Sequence, residues 1–355
     1  MLIALALLVL AIAVVIVILN RGGGGSADPP PPTQDEIDQE LGILQQAFQK
    51  ALNEKQDLTR LAAQANAFTG QYPDNQGGYV LLAQTRMGLK QWDKAYAAWD
   101  KALDYGDEAF ELCKMAGLCA AKLGRVEQAL AHYQQAVAAT NDQADSEVYA
   151  ALGRLHLSLN NPERAGQMFE RAVEAPGPGG APNYKHEAYA GLADVAAVGD
   201  KTEEALTWVD RAIKMAKLDS DADPAAYHIQ KARIYMDADR DEDAVTMLSY
   251  TWSEFPEAVW RIESARLRAK LFERAGQLDN AVNHLQTIAE YHRMSEVRSN
   301  EALANFTALL ADWQVKAGRV EDAKVSLHNL QTLAPEHPAI GKLKEKLSVT
   351  FHRTQ

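Results

Sequence analysis

Ser146 to Gly179 reads SEVYAALGRLHLSLNNPERAGQMFERAVEAPGPG, and this stretch decides the fold. Tyr149, Leu152 and Gly153 fall at helical spacing on a first segment. Ala165, Phe169 and Ala172 do the same on a second. Between them Asn161 is suited to cap a helix that begins at Pro162, where the missing N–H costs nothing. The reading is a helical hairpin with one apolar stripe on each arm. A single hairpin cannot bury both stripes, so neighbouring hairpins must stack on it.

The neighbours are present. Residues 76–109 place Tyr79, Leu82 and Ala83 before Ala95, Trp99 and Ala102; residues 110–143 place Cys113, Ala116 and Gly117 before Ala129, Tyr133 and Ala136. Residues 186–219 give Tyr189, Leu192 and Ala193, then Ala205, Val209 and Ala212. Looser units cover 225–258, 262–295 and 304–337, marked by Ala244, Ala281 and Ala323, with Gly276 and Gly318 at their inter-helix turns. The step between marker alanines grows from 34 to 42 residues, a length assigned partly to inter-repeat loops and partly to longer helices. Ahead of these, Thr33 and Glu36 form a capping box, and Asp35 to Lys55 with Asp57 to Phe68 reads as a degenerate hairpin. Residues 339–351 read as a closing helix.

The recurring large residue, Leu-Gly/Ala, Ala, aromatic and Ala resembles the tetratricopeptide repeat. The resemblance implies an all-α fold over 34–355, a right-handed α-solenoid of about seven or eight helix-turn-helix hairpins. It implies that the small residues Ala83, Gly117, Gly153 and Ala193 admit a close helix, and that Trp99, Tyr133 and Phe169 fill the space between hairpins. It also implies protein or peptide partners, held on a concave surface lined by the first helices.

Residues 1–20 read as a transmembrane helix. Met1 to Leu19 carry no polar side chain, and a helix of that length spans about 28 Å, close to a bilayer core. Residues 21–33 follow as a linker, with flexible Gly22 to Gly25 and stiff Pro29 to Pro32. The layout is similar to that of single-pass bacterial inner-membrane proteins of this family. Arg21, on the C-terminal flank, favours a cytoplasmic solenoid. The alternative is an exported soluble binding protein or chaperone, released by signal-peptide cleavage near Ala27, where Gly25-Ser26-Ala27 offers small residues.

The search for chemistry yields no catalytic residue, no metal ligand set and no cofactor. Nine histidines make no HExxH and no Cys/His cluster, and no phosphate loop or nucleophile elbow occurs. Cys113 and Cys119 lie six apart on one helix, out of disulfide reach of each other, and read as small core residues. A net charge of −12 argues against nucleic acid, and no small-molecule substrate is expected. The expectation is a non-enzymatic scaffold that serves an envelope-associated complex. The family's Lys/Asn clamp for C-terminal carboxylates is missing from the first-helix positions of the four strong units. In the looser units Arg233, Arg266, Lys270 and Arg274 form a candidate basic patch for an acidic partner segment. The competing reading pairs these cations with Glu263 and Glu273.

Overall fold

The structure is a computed structural model that describes residues 31–106, 109–177, 185–219, 222–294 and 300–353. The membrane helix expected over 1–20 and most of the linker expected over 21–33 lie outside these residues. Among the described residues no helix is long and apolar enough to cross a membrane.

Every regular element among the described residues is an α-helix, and packing divides the chain into two units, one ending at Tyr105 and the other starting at Gly106. The first unit holds α1 (Gln34–Asn53), α2 (Thr59–Gln71), α3 (Gln76–Gly88) and α4 (Trp92–Leu103). Its opening is fixed by the capping box: the Thr33 side chain accepts from Glu36 N–H, and the Glu36 carboxylate accepts from Thr33 N–H at 2.8 Å. Trp99 is 2 % exposed and donates its indole N–H to Met87 Sδ.

The second unit is a series of hairpins. They are α5 (Ala109–Lys122) with α6 (Val126–Ala139), α7 (Ser146–Ser158) with α8 (Pro162–Glu174), and α9 (Lys185–Val198) with α10 (Thr202–Ala216). Then come α11 (Pro224–Asp237) with α12 (Asp241–Glu254), α13 (Ala258–Arg274) with α14 (Leu278–Met294), and α15 (Asn300–Lys316) with α16 (Val320–Leu333). The last helix is α17 (Ala339–Arg353). Helices α13 and α15 start at Ala258 and Asn300, ahead of the unit starts read at 262 and 304. Both run to 17 residues where α7 has 13, so part of the stretched period is an added helical turn.

One backbone device joins the two helices of nearly every hairpin. The second residue after the first helix takes a left-handed conformation: Lys90, Gly124, Asn160, Asp200, Asp239, Gly276 and Gly318 all have φ between 56° and 75°. The next residue then donates to a carbonyl five residues back, as Gln91 does to Arg86 and Gln277 to Phe272. These bonds satisfy carbonyls that the helix end leaves open and reverse the chain in three residues.

The core is a relay of small clusters. Each joins both helices of one hairpin to the first helix of the next. Leu248 sits with Ile229 and with Leu267 and Leu271 of α13. Leu285 sits with Ala269 and with Phe306 and Trp313 of α15. Leu330 sits with Ala304 and with Ile340, Leu343 and Leu347 of α17. This is the nearest-neighbour burial of a repeat protein. Close approach is built from small residues. Gly117 faces the Tyr133 ring, and Gly153 faces Phe169, which is 0 % exposed. Both cysteines are buried, and no disulfide joins them.

Candidate functional site

The first helices of the second unit lie side by side: α7 touches α9, α9 touches α11, α11 touches α13, α13 touches α15, and α15 touches α17. They form a continuous face, and polar bonds rung by rung hold its width. Arg154 pairs with Glu187 at 2.6 Å. Gln230 donates to Asp194 at 2.6 Å and to the Ala190 carbonyl at 2.8 Å. Arg233 meets Glu263 at 2.5 Å, Lys316 meets Glu273 at 2.7 Å, and Lys346 pairs with Asp312. Each rung links one first helix to the next, so a repeat's charge is matched by its neighbour.

Two rungs are buried. The Lys114 ammonium, 4 % exposed as a residue, lies 2.7 Å from Asp145 and 2.6 Å from Glu147. Burial alone would depress its pKa; the two carboxylates outweigh burial and hold it above the ordinary lysine value. Asp145 also caps α7 through Val148 N–H. Between α9 and α11, His186 Nδ1 lies 2.7 Å from the Tyr227 hydroxyl and Nε2 lies 3.3 Å from Asp219. Burial pushes the Tyr227 phenol up, so it stays protonated at any working pH.

The four residues of the expected basic patch separate into two groups. Arg233 on α11 and Arg266 on α13 converge on one carboxylate, Glu263, with Arg266 at 2.5 and 2.7 Å. Burial would raise the Glu263 pKa, and the two guanidiniums override it and hold the acid below the usual range. Lys270 stands one helical turn beyond Arg266, exposed and without an ion pair among the described residues. Arg233, Arg266 and Lys270 face two carboxylates, Glu263 and the Asp194 side chain whose charge Arg233 also feels, which leaves this stretch with one excess positive charge. Arg274 turns away: it donates to the Met236 carbonyl at 2.5 Å and pairs with Asp239 and with Asp241 at 3.2 Å, bracing the α11–α12 turn. Glu273, read as a partner of these cations, is taken by Lys316 of α15.

Sequence reasoning missed the ladder itself. Its signal is the acidic residue in the opening turns of the first helices, Glu147, Glu187 and Glu263, each answered by a cation from the preceding first helix. Among the described residues no group of three or more His, Cys, Asp or Glu is placed to hold a metal ion.

The family model of the tetratricopeptide repeat matches residues 80–144 and 150–224. Within these bounds the chain carries tetratricopeptide repeats. Its array is similar to a solved tetratricopeptide repeat protein from Parabacteroides merdae, at 18 % identity and a TM-score of 0.56, over 76 % of this chain and 99 % of that one. It is also similar to PilW, described as a widely conserved type IV pilus biogenesis factor, at 15 % identity and 0.51, over 63 % and 96 %. A third is PilF of Pseudomonas aeruginosa, at 16 % and 0.50, over 66 % and 99 %. At such identities the likeness is one of tetratricopeptide fold. Comparison with curated proteins returned no match.

Proposed function

We propose that this chain is a membrane-tethered, non-enzymatic scaffold. Its first-helix face between α11 and α13 holds an acidic segment of a partner protein. The observation that carries the reading is the excess positive charge where Arg233 and Arg266 share Glu263 beside Lys270, unpaired among the described residues, in a chain whose net charge is −12. An acidic segment gains Coulomb attraction and guanidinium hydrogen bonds there, while the rest of the acidic surface repels it. The tether is the apolar run 1–20, spaced from the repeats by 21–33; the protein would then serve an envelope-associated complex at the bacterial inner membrane, with Arg21 favouring a cytoplasmic array. The likeness to PilW and PilF lends a fold and no partner.

The test is recovery of partners from detergent-solubilised native membranes on the immobilised full chain. Arg266→Glu with Lys270→Glu is expected to lower recovery of a bound partner at least about tenfold, two charge-assisted contacts being lost. Unchanged recovery contradicts the reading. The small residues Gly25-Ser26-Ala27 support a second reading, an exported soluble form. The intact mass of the native protein separates the two: loss of residues up to about Ala27 establishes release.

A further inference from the structure

In the second unit a hollow of about 350 Å³ opens where α6, α7 and α8 meet. Its walls include Tyr149, His156, Gln167 and two arginines, Arg164 and Arg171. Such a volume is in the range that admits a small ligand.

The two guanidiniums are not neutralised by a direct ion pair among the described residues, although Asp142 and Glu174 line an adjoining hollow with Arg171. This holds in a chain that carries 48 acids against 36 bases. The one acid on the walls, Asp142, is out of ion-pair range of both. Arg171 is held ready: its guanidinium lies over the Tyr149 ring at 4.8 Å, and the Tyr149 hydroxyl is fixed by donation to the Asp142 carbonyl at 2.6 Å. Arg164 stands in the first turn of α8, where the helix dipole disfavours a cation and favours an anion. The two arginines are seven residues apart on one face of α8, about 10 Å along its axis. His156 is 6 % exposed, and burial together with the charge of Arg164 holds its pKa below the ordinary histidine value, so it presents a neutral imidazole.

We infer that this hollow is a binding site for a ligand bearing two carboxylates, which Arg164 and Arg171 clasp at its two ends with Gln167 and the His156 imidazole between them. The paired forks select planar carboxylates, since each guanidinium presents two parallel N–H donors. The carboxylates belong either to a free organic acid or to neighbouring acidic side chains of a peptide.

Titration calorimetry on the full chain in detergent tests this with two probes, citrate and the peptide acetyl-Glu-Glu-Glu-amide. At least one is expected to bind saturably. Arg164→Gln and Arg171→Gln should each weaken that binding about tenfold, with the melting curve unchanged because both side chains are exposed. The titrations are run on the chain carrying Arg266→Glu and Lys270→Glu, which removes the α11–α13 face as a competing anion site, so failure here and failure of the partner-binding reading are distinguishable. Binding of citrate alone assigns a free organic acid, and binding of the peptide alone assigns an acidic protein segment. No saturable binding of either probe, or binding indifferent to both single substitutions, overturns the inference.

Discussion

Phe169 shows how narrowly the hairpins are fitted. Its ring is wholly buried, and a Cβ added at Gly153 or at Gly191 would collide with it, so the ring is wedged between two first helices at glycines. Gly191→Ala is therefore expected to cost about 1–3 kcal/mol in denaturant unfolding, as overpacking does, and Phe169→Leu in the same chain should recover part of it. Gly153 was legible because it occupies the repeated small position of its unit. Gly191 was not, because it lies outside the repeated signature and meets the ring of the preceding hairpin, a contact that only the stacking creates. Lys114 is a second such residue. In the sequence it is one basic side chain on a helix; in the fold two carboxylates close on it. Lys114→Met leaves Asp145 and Glu147 facing each other without a cation, and unfolding free energy should fall by about 3–5 kcal/mol.

At the scale of elements, the turn inside each hairpin is the repeated part. Gly276 and Gly318 were readable as turn residues because glycine adopts positive φ freely. The same left-handed position is filled by Lys90, Asn160, Asp200 and Asp239 elsewhere, and there the sequence pattern gave little sign of it. The reason is energetic. The helix-ending hydrogen bonds and the packing of both arms outweigh a strain of about 1 kcal/mol per residue. Gly276→Ala, with open space around its Cβ, should destabilise by about 1 kcal/mol, and Lys90→Gly should be neutral to stabilising on the same scale. Helix α11 contributes a pH dependence. His228 is buried against the Tyr250 and Phe255 rings, with Met247 Sδ 3.2 Å from Nδ1. Burial lowers its pKa to about 4, below the ordinary value of 6.5. The unfolded chain therefore binds the proton first. Stability is complete above about pH 6.5 and declines as pH falls towards 4, by up to about 3 kcal/mol from this group. His228→Leu should flatten that part of the stability curve measured by urea titration at a series of pH values.

At the scale of the whole molecule, each cluster of the second unit depends on the first helix of the next hairpin, so a loss at one end should remain local. Deleting residues 339–355 strips Ile340, Leu343 and Leu347 from the cluster around Leu330. Amide exchange should accelerate in α15 and α16 and stay unchanged in α5 to α8; uniform acceleration would mean a more cooperative array than the cluster relay implies. The repeat order was legible because small and aromatic residues recur at fixed steps. The basic stretch of the first-helix face was legible in part. Arg233 and Arg266 could be placed on neighbouring first helices by register, whereas the diversion of Arg274 to Asp239 and Asp241 and of Glu273 to Lys316 arises from contacts between repeats, which single-helix periodicity does not encode. The central claim is that this face holds a partner. The most direct test places a photoreactive residue at Lys270 on α13, or at Val325 on α16, which is 61 % exposed on a second helix, and irradiates native membranes. A discrete crosslinked protein from position 270, absent from position 325 and lost when Arg266→Glu is added, is the expected result; equal crosslinking from both positions, or none from 270, contradicts the claim.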